Sequence, residues 1–127
     1  MATRATIYIL SEDKEGVHQD YKVYKHWSGN PESTLEWLED FNKSFSADRG
    51  DDPQYKFAQL LRSSSRDAGK YRLDDSTTTG WGVVPIDADC NEEWEYYLKV
   101  DGSVAHVSVE RHYDKNGKLC ITTHAID

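Results

Sequence analysis

Two dipeptides, Asp101-Gly102 and Asn116-Gly117, do most to constrain the fold of this chain. Each lies between segments of alternating character. Asp-Gly and Asn-Gly are strong two-residue hairpin signals, because the turns that match strand twist need positive φ. They divide the last third of the chain into a meander of three strands, at 94–100, 104–113 and 119–126. Read as two-residue turns, they also set the register. Leu98 then faces Ala105, Tyr96 faces Val107 and Trp94 faces Val109, so Trp94, Tyr96, Leu98, Val107 and Val109 are expected to be buried together. On the other face Tyr97 meets His106, Glu95 meets Ser108 and Glu93 meets Glu110. Across the second turn Tyr113 pairs with Cys120, Arg111 with Thr122 and Val109 with His124.

Upstream, two further strands are expected, at 4–10 and 20–27, joined by the polar stretch 11–16 as a hairpin. Asn30-Pro31 then starts a helix, with Asn30 as N-cap and Pro31 at the first helical position. Leu35, Leu38, Phe41 and Phe45, with Trp37, form its apolar stripe, while Glu36, Glu39, Asp40 and Lys43 take the wet side. Residues 47–52 break this helix. Asp52-Pro53 starts a second one, carrying Phe57, Leu60, Leu61, Ser64 and Ala68 at helical spacing, with Gly69 just past its end. A strand at 80–86 has Pro85 near its end, which suits an edge or terminal position. The fold class that follows is α+β: a single domain over 1–127, with an antiparallel sheet of about five to six strands and two consecutive helices packed on one face.

Charge is sorted along the chain. The formal net charge is −8. Acids gather in blocks at 32–52 and 74–101, and bases gather at 54–72, mostly toward the end of the second helix, where they complement its dipole. An acidic surface excludes direct nucleic-acid or anionic-membrane binding and suits basic protein partners. No apolar run is long enough to span a membrane, and the N-terminus lacks a secretory h-region. Two cysteines far apart, Cys90 and Cys120, are expected to be free in a cytoplasmic setting.

The chemistry-bearing residues form no familiar machinery. His106, His112, Cys120 and His124 resemble a metal-ligand set, but the expected register sends the first two to one face and the last two to the other. No metal and no cofactor is therefore expected. His124 reads as a core or rim histidine with a hydrogen-bond partner. Asp74/Asp75, Asp87/Asp89 and Glu92/Glu93/Glu95 are acidic runs with no nucleophile beside them. Ser63-Ser64-Ser65 lacks a nucleophile elbow, and Thr77-Thr78-Thr79-Gly80-Trp81-Gly82 lacks the glycines of a phosphate cradle. No catalytic residue is assigned, and the chain reads as a non-enzyme.

Tyr24-Lys25-His26-Trp27-Ser28-Gly29-Asn30-Pro31 resembles a motif, Tyr-[Lys/Arg]-His-Trp-Asp-Gly-Tyr-Pro, of small uncharacterised proteins from phages, prophages and bacterial mobile elements. Glu93-Trp94-Glu95-Tyr96-Tyr97 and the opening Thr3-Arg4-Ala5-Thr6-Ile7 are similar as well. Ser28 and Asn30 stand where that motif has Asp and Tyr. The resemblance implies the context of mobile-element accessory genes, many of which act on host defence. The first functional reading is a small acidic interaction protein, monomer or homodimer. It would occupy a basic surface of a host nucleic-acid-directed defence protein in the manner of an anti-CRISPR-like inhibitor and DNA mimic. Its expected contacts are Glu36, Glu39, Asp40, Glu92, Glu93 and Glu95. The alternative is a small-molecule or nucleotide-binding sponge, using an aromatic and histidine corner of Tyr24, His26 and Trp27.

Overall fold

The structure is a computed structural model that describes residues 3–71 and 80–125, the side chains of 64–71 excepted. The expectations for Ser64, Ser65, Ala68, the basic residues Arg66, Lys70 and Arg72, the acids Asp67, Asp74 and Asp75, the Thr77-Thr78-Thr79 segment and Ile126 fall outside that description. The elements run β1 (Ala5–Asp13), β2 (Gly16–Lys25), α1 (Pro31–Arg49), α2 (Pro53–Tyr71), β3 (Trp81–Val84), β4 (Trp94–Leu98), β5 (Val104–Tyr113) and β6 (Leu119–Ala125). The strands form one six-stranded sheet in the order β3-β2-β1-β4-β5-β6.

The fold is α+β, but the sheet is mixed rather than wholly antiparallel. β1 and β4 pair in parallel, Ala5 with Trp94 through Ile9 with Leu98. The connectivity accounts for this. β3 adds to the free side of β2, so the chain must cross the first hairpin before β4 can join β1. Residues 85–93 make that crossing, and β4 then runs in the direction of β1. β1 and β2 extend into the polar stretch 11–16, with a bulge at Ile9/Leu10 and a tight turn closed by Asp13 and Gly16. β2 stops at Lys25, two residues short of Trp27.

The core lies on one face of the sheet. Ala5, Ile7, Ile9, Val23, Tyr96 and Leu98 are fully buried there, and Leu38 of α1 and Leu60 of α2 belong to the same cluster. Each large aliphatic chain so buried contributes about 1.5–3 kcal/mol. The buried line of α1 is Thr34, Leu38, Asn42 and Phe45, so two polar residues sit where an apolar stripe was expected. Both have partners: Thr34 Oγ1 donates to Ser28 O at 2.7 Å, and Asn42 Nδ2 donates to Lys99 O at 2.9 Å and Ser103 O at 2.8 Å. Asn42 thereby ties α1 to the β4–β5 turn. The strand-to-helix corner also requires Gly29, because a Cβ there would lie 2.6 Å from Ala5 Cβ. Tyr96 Oη donates to Gly29 O at 2.6 Å. α2 starts as expected, Tyr55 N donating to Asp52 Oδ1, but it runs through Gly69 to Tyr71.

Both C-terminal registers differ by one residue from those expected. Leu98 pairs with Val104, Tyr96 with His106 and Trp94 with Ser108; Tyr113 pairs with Leu119 and His112 with Cys120. The turns have three residues, not two. Lys99 N donates to Ser103 O and Asp114 N to Lys118 O, with Gly102 and Gly117 at φ 93° and 80°. This is the three-residue loop that places glycine in the left-handed position. An aspartate side chain fixes each: Asp101 accepts from Ser103 N, and Asp114 accepts from Asn116 N and Lys118 N. Tyr96 and Leu98 keep their places in the core, while Val107 moves to the opposite face as the partner of Glu95. Val109 moves with it.

Candidate functional site

The two expected acidic contact groups behave differently. On α1, Glu32, Glu36, Glu39 and Asp40 are exposed. Their spacing puts them within about a quarter of the helix circumference, opposite the line of Leu38 and Phe45. None of the four makes an ion pair with a described residue, Lys43 included. Glu32/Glu36 and Glu36/Asp40 are like-charge pairs at i,i+4, a spacing that destabilises a helix slightly. Beside this stripe lies a groove of about 310 Å³ between α1 and α2, floored by Phe41, Phe45 and Tyr55 and rimmed by Asp48 and Arg49. The Arg49 guanidinium lies 4.0 Å from the Tyr55 ring centroid.

The second acidic group turns inward. Glu92 and Glu95 are only 4% and 8% exposed, against the expectation that they face a partner; Glu93 is exposed. The crossing segment 85–93 lies over the sheet face opposite the main core and is fastened there by two basic residues. Lys22, itself buried, donates to Ala88 O and sits 5.3 Å from the Tyr8 ring centroid. Arg111 holds Glu92 Oε2 at 3.0 Å, donates to Glu92 O and grips the Asp89 carboxylate, Nη2 to Oδ1 at 2.5 Å. Glu92 Oε2 also accepts from Cys90 N. The Arg111 bonds hold the Asp89 carboxyl below the usual carboxylate range. Beneath the segment, Tyr8 and Tyr97 stack at 5.0 Å. Burial pushes Glu95 up, with the charge of Glu92 adding to it and the Tyr8 hydroxyl opposing it. Burial also pushes up the thiol of Cys90, which, like Cys120, is free. Asp89 and Glu92 fasten the segment through Arg111, Glu95 is buried beside them, and Glu93 faces solvent.

The aromatic and histidine corner is turned on itself. Tyr24 Oη lies 2.7 Å from His26 Nδ1, and the His26 ring meets Trp27 edge-on at 4.9 Å. Trp27 also packs so closely on Gly80 that a Cβ there would fall 2.4 Å from its ring. The shifted register overturns the face argument for His106, His112, Cys120 and His124, which now share one face. They stay apart along the strands, since Cys120 is opposite His112 while His124 is opposite Ser108. Among the described residues no group of three or more His, Cys, Asp or Glu side chains is placed to hold a metal ion. His124 is exposed, 3.2 Å from Glu110.

Sequence reasoning missed Arg111, Lys22 and Lys56. Lys56, assigned to the basic block, is buried against the β4–β5 turn, with Nζ 3.5 Å from Lys99 O, and burial lowers its pKa. No local signal existed for Lys22, which alternates with Tyr21 and Val23 onto the face away from the main core and is buried there by the crossing segment. None existed for Arg111, because its partners lie 19 and 22 residues away across a crossing segment. No described helix is long and apolar enough to cross a membrane. Compared with known protein families, curated proteins and solved structures, the chain matches none.

Proposed function

We propose that this chain is a non-enzymatic interaction protein of the cytoplasm that docks the acidic stripe of α1 onto a basic surface of a partner protein. One observation carries the reading: Glu32, Glu36, Glu39 and Asp40 share the exposed face of a helix, and no described residue neutralises them. The carboxylates at 32, 36 and 40 repeat every 6 Å or so along the axis. That makes a linear row of negative charge, suited to a groove lined with Arg and Lys. The neighbouring groove floored by Phe41, Phe45 and Tyr55 offers a place for one apolar anchor of the partner. A protein that normally binds nucleic-acid phosphates has such a basic groove. Inhibition of a nucleic-acid-directed defence protein, in the anti-CRISPR manner, is the sharpest form of the proposal.

The test is parallel capture from host lysate with the natural chain and with Glu36→Lys/Glu39→Lys/Asp40→Lys. The expected prey is a basic protein that elutes as salt is raised. It should bind the triple variant about tenfold more weakly or worse, as loss of a central charge pair implies. A prey held by both proteins to the same salt concentration contradicts the proposal.

A further inference from the structure

The two edges of the sheet are built differently. β3, on one side, has four residues and is followed at once by Pro85. A short edge strand stopped by proline is a standard defence against unwanted pairing. β6, on the other side, has seven residues, Leu119 to Ala125, with no Pro, no Asp, Glu, Lys or Arg, and an uninterrupted ladder to β5. It lies open: Leu119 is 39% and Ile121 49% exposed. Among the described residues nothing pairs with its outer side.

The ladder shows which backbone groups face outward. Asp114 N donates to Lys118 O, so Lys118, Cys120, Thr122 and His124 direct their amides and carbonyls toward β5 by antiparallel alternation. Leu119, Ile121, Thr123 and Ala125 direct theirs outward, and a buried surface would require partners for them.

We infer that this edge is a homodimer interface, in which β6 of one protomer pairs antiparallel with β6 of its partner about a two-fold axis through Thr122. Three features favour a second copy as the occupant. Opposite residues in a continued sheet must share a face, so odd positions must meet odd ones; among the centres that allow this, Thr122 alone pairs all seven residues of β6. That register places each outward-facing residue opposite another, Leu119 with Ala125 of the partner subunit and Ile121 with Thr123 of the partner subunit. About eight interstrand bonds result, two for each such pair. Finally, each copy carries a formal net charge of −8, so two copies repel across most surfaces. The chargeless β6 is a long strand along which self-pairing sets no carboxylates against each other. The two six-stranded sheets then become continuous, and the isologous contact closes without leaving the same edge open.

Sedimentation velocity at about 100 µM and cysteine cross-linking test this together. The natural chain should sediment as a dimer. Thr123→Pro removes an outward N–H that makes no bond within the protomer, so it should keep the native circular dichroism spectrum and sediment as a monomer. In a Cys90→Ser/Cys120→Ser background, Thr122→Cys should form an intermolecular disulfide under mild oxidation. The two substituted residues face each other as a non-hydrogen-bonded pair, within the Cα separation that a disulfide needs. A monomeric natural chain, a dimer that survives Thr123→Pro, or a dimer in which Thr122→Cys fails to cross-link would each overturn the assignment.

Discussion

The acids of α1 and those of the crossing segment look alike in the sequence and end in opposite environments. Glu36, Glu39 and Asp40 stand in water on a helix whose other side fills the core. Glu92 and Glu95 lie under or within a stretch of chain pressed onto the back of the sheet, with Arg111 and Lys22 among them. Local charge density is therefore a poor guide to direction. What decides is whether distant bases arrive at the same place, and that depends on topology. Because β3 joins β2 while β4 joins β1, the chain must pass over the sheet between them, and the passing segment brings its acids to Arg111. Among the described residues the α1 acids meet no such base. Asp89 and Glu92 hold the crossing segment to the sheet, whereas the α1 acids stand exposed with no described partner.

The largest expected effect comes from separating Arg111 from its acids. Arg111→Met leaves Glu92 buried without its cation, and loss of one partner of a buried pair costs about 3–5 kcal/mol. Urea unfolding should show a large drop in midpoint. A drop under about 1 kcal/mol would mean that the crossing segment is held by something else.

Asp89 and Glu95 sharpen the contrast through pH, with opposite signs. The Asp89 carboxyl is held low by Arg111. Its contribution is present above the unfolded carboxylate pKa and lost as pH falls through the lower folded value. The Asp89 side chain is 37% exposed, so solvent screening limits that contribution to about 1 kcal/mol. Asp89→Asn should lower the melting temperature at pH 7 by a few degrees, and the difference should shrink toward pH 3. Glu95 runs the other way. Its folded pKa is raised by burial and by Glu92, so it favours folding below its unfolded pKa, and that advantage is lost as pH rises through the folded value. Glu95→Gln should match the natural chain near pH 4 and melt higher at pH 8. A variant that melts lower at pH 8 would show that ionised Glu95 is needed where it lies.

Much of this contrast was hidden from the sequence for identifiable reasons. The helix starts were legible because Pro31 and Pro53 suit only the first turn, and the edge position of β3 was legible from Pro85. Alternation along β1 and β2 separates Ala5, Ile7 and Ile9 from Thr6, Tyr8 and Lys22, but it does not reveal that both sets are buried; Tyr8 and Lys22 lie beneath a segment, 85–93, without strand or helix pattern. The hairpin register failed for a smaller reason. Asp101 and Asp114 bond to amides inside their own loops, which selects three residues where Asp-Gly and Asn-Gly alone suggested two. Within the candidate site, the exposed face of α1 was readable from helical spacing; the burial of Glu92 and Glu95 was not, since it depends on Arg111.

The smallest expected effect is also the most direct test, because α1 acids that serve a partner must be free of any structural task. Glu36→Gln/Glu39→Gln/Asp40→Asn should be unfolded by urea at pH 7.5 beside the natural chain and Arg111→Met. The triple variant should be as stable as the natural chain or higher by roughly a few tenths of a kcal/mol, through relief of like-charge pairs, while Arg111→Met falls far below both. A triple variant that loses about 1 kcal/mol or more would contradict this, since surface changes without a structural role stay within about 0.5 kcal/mol.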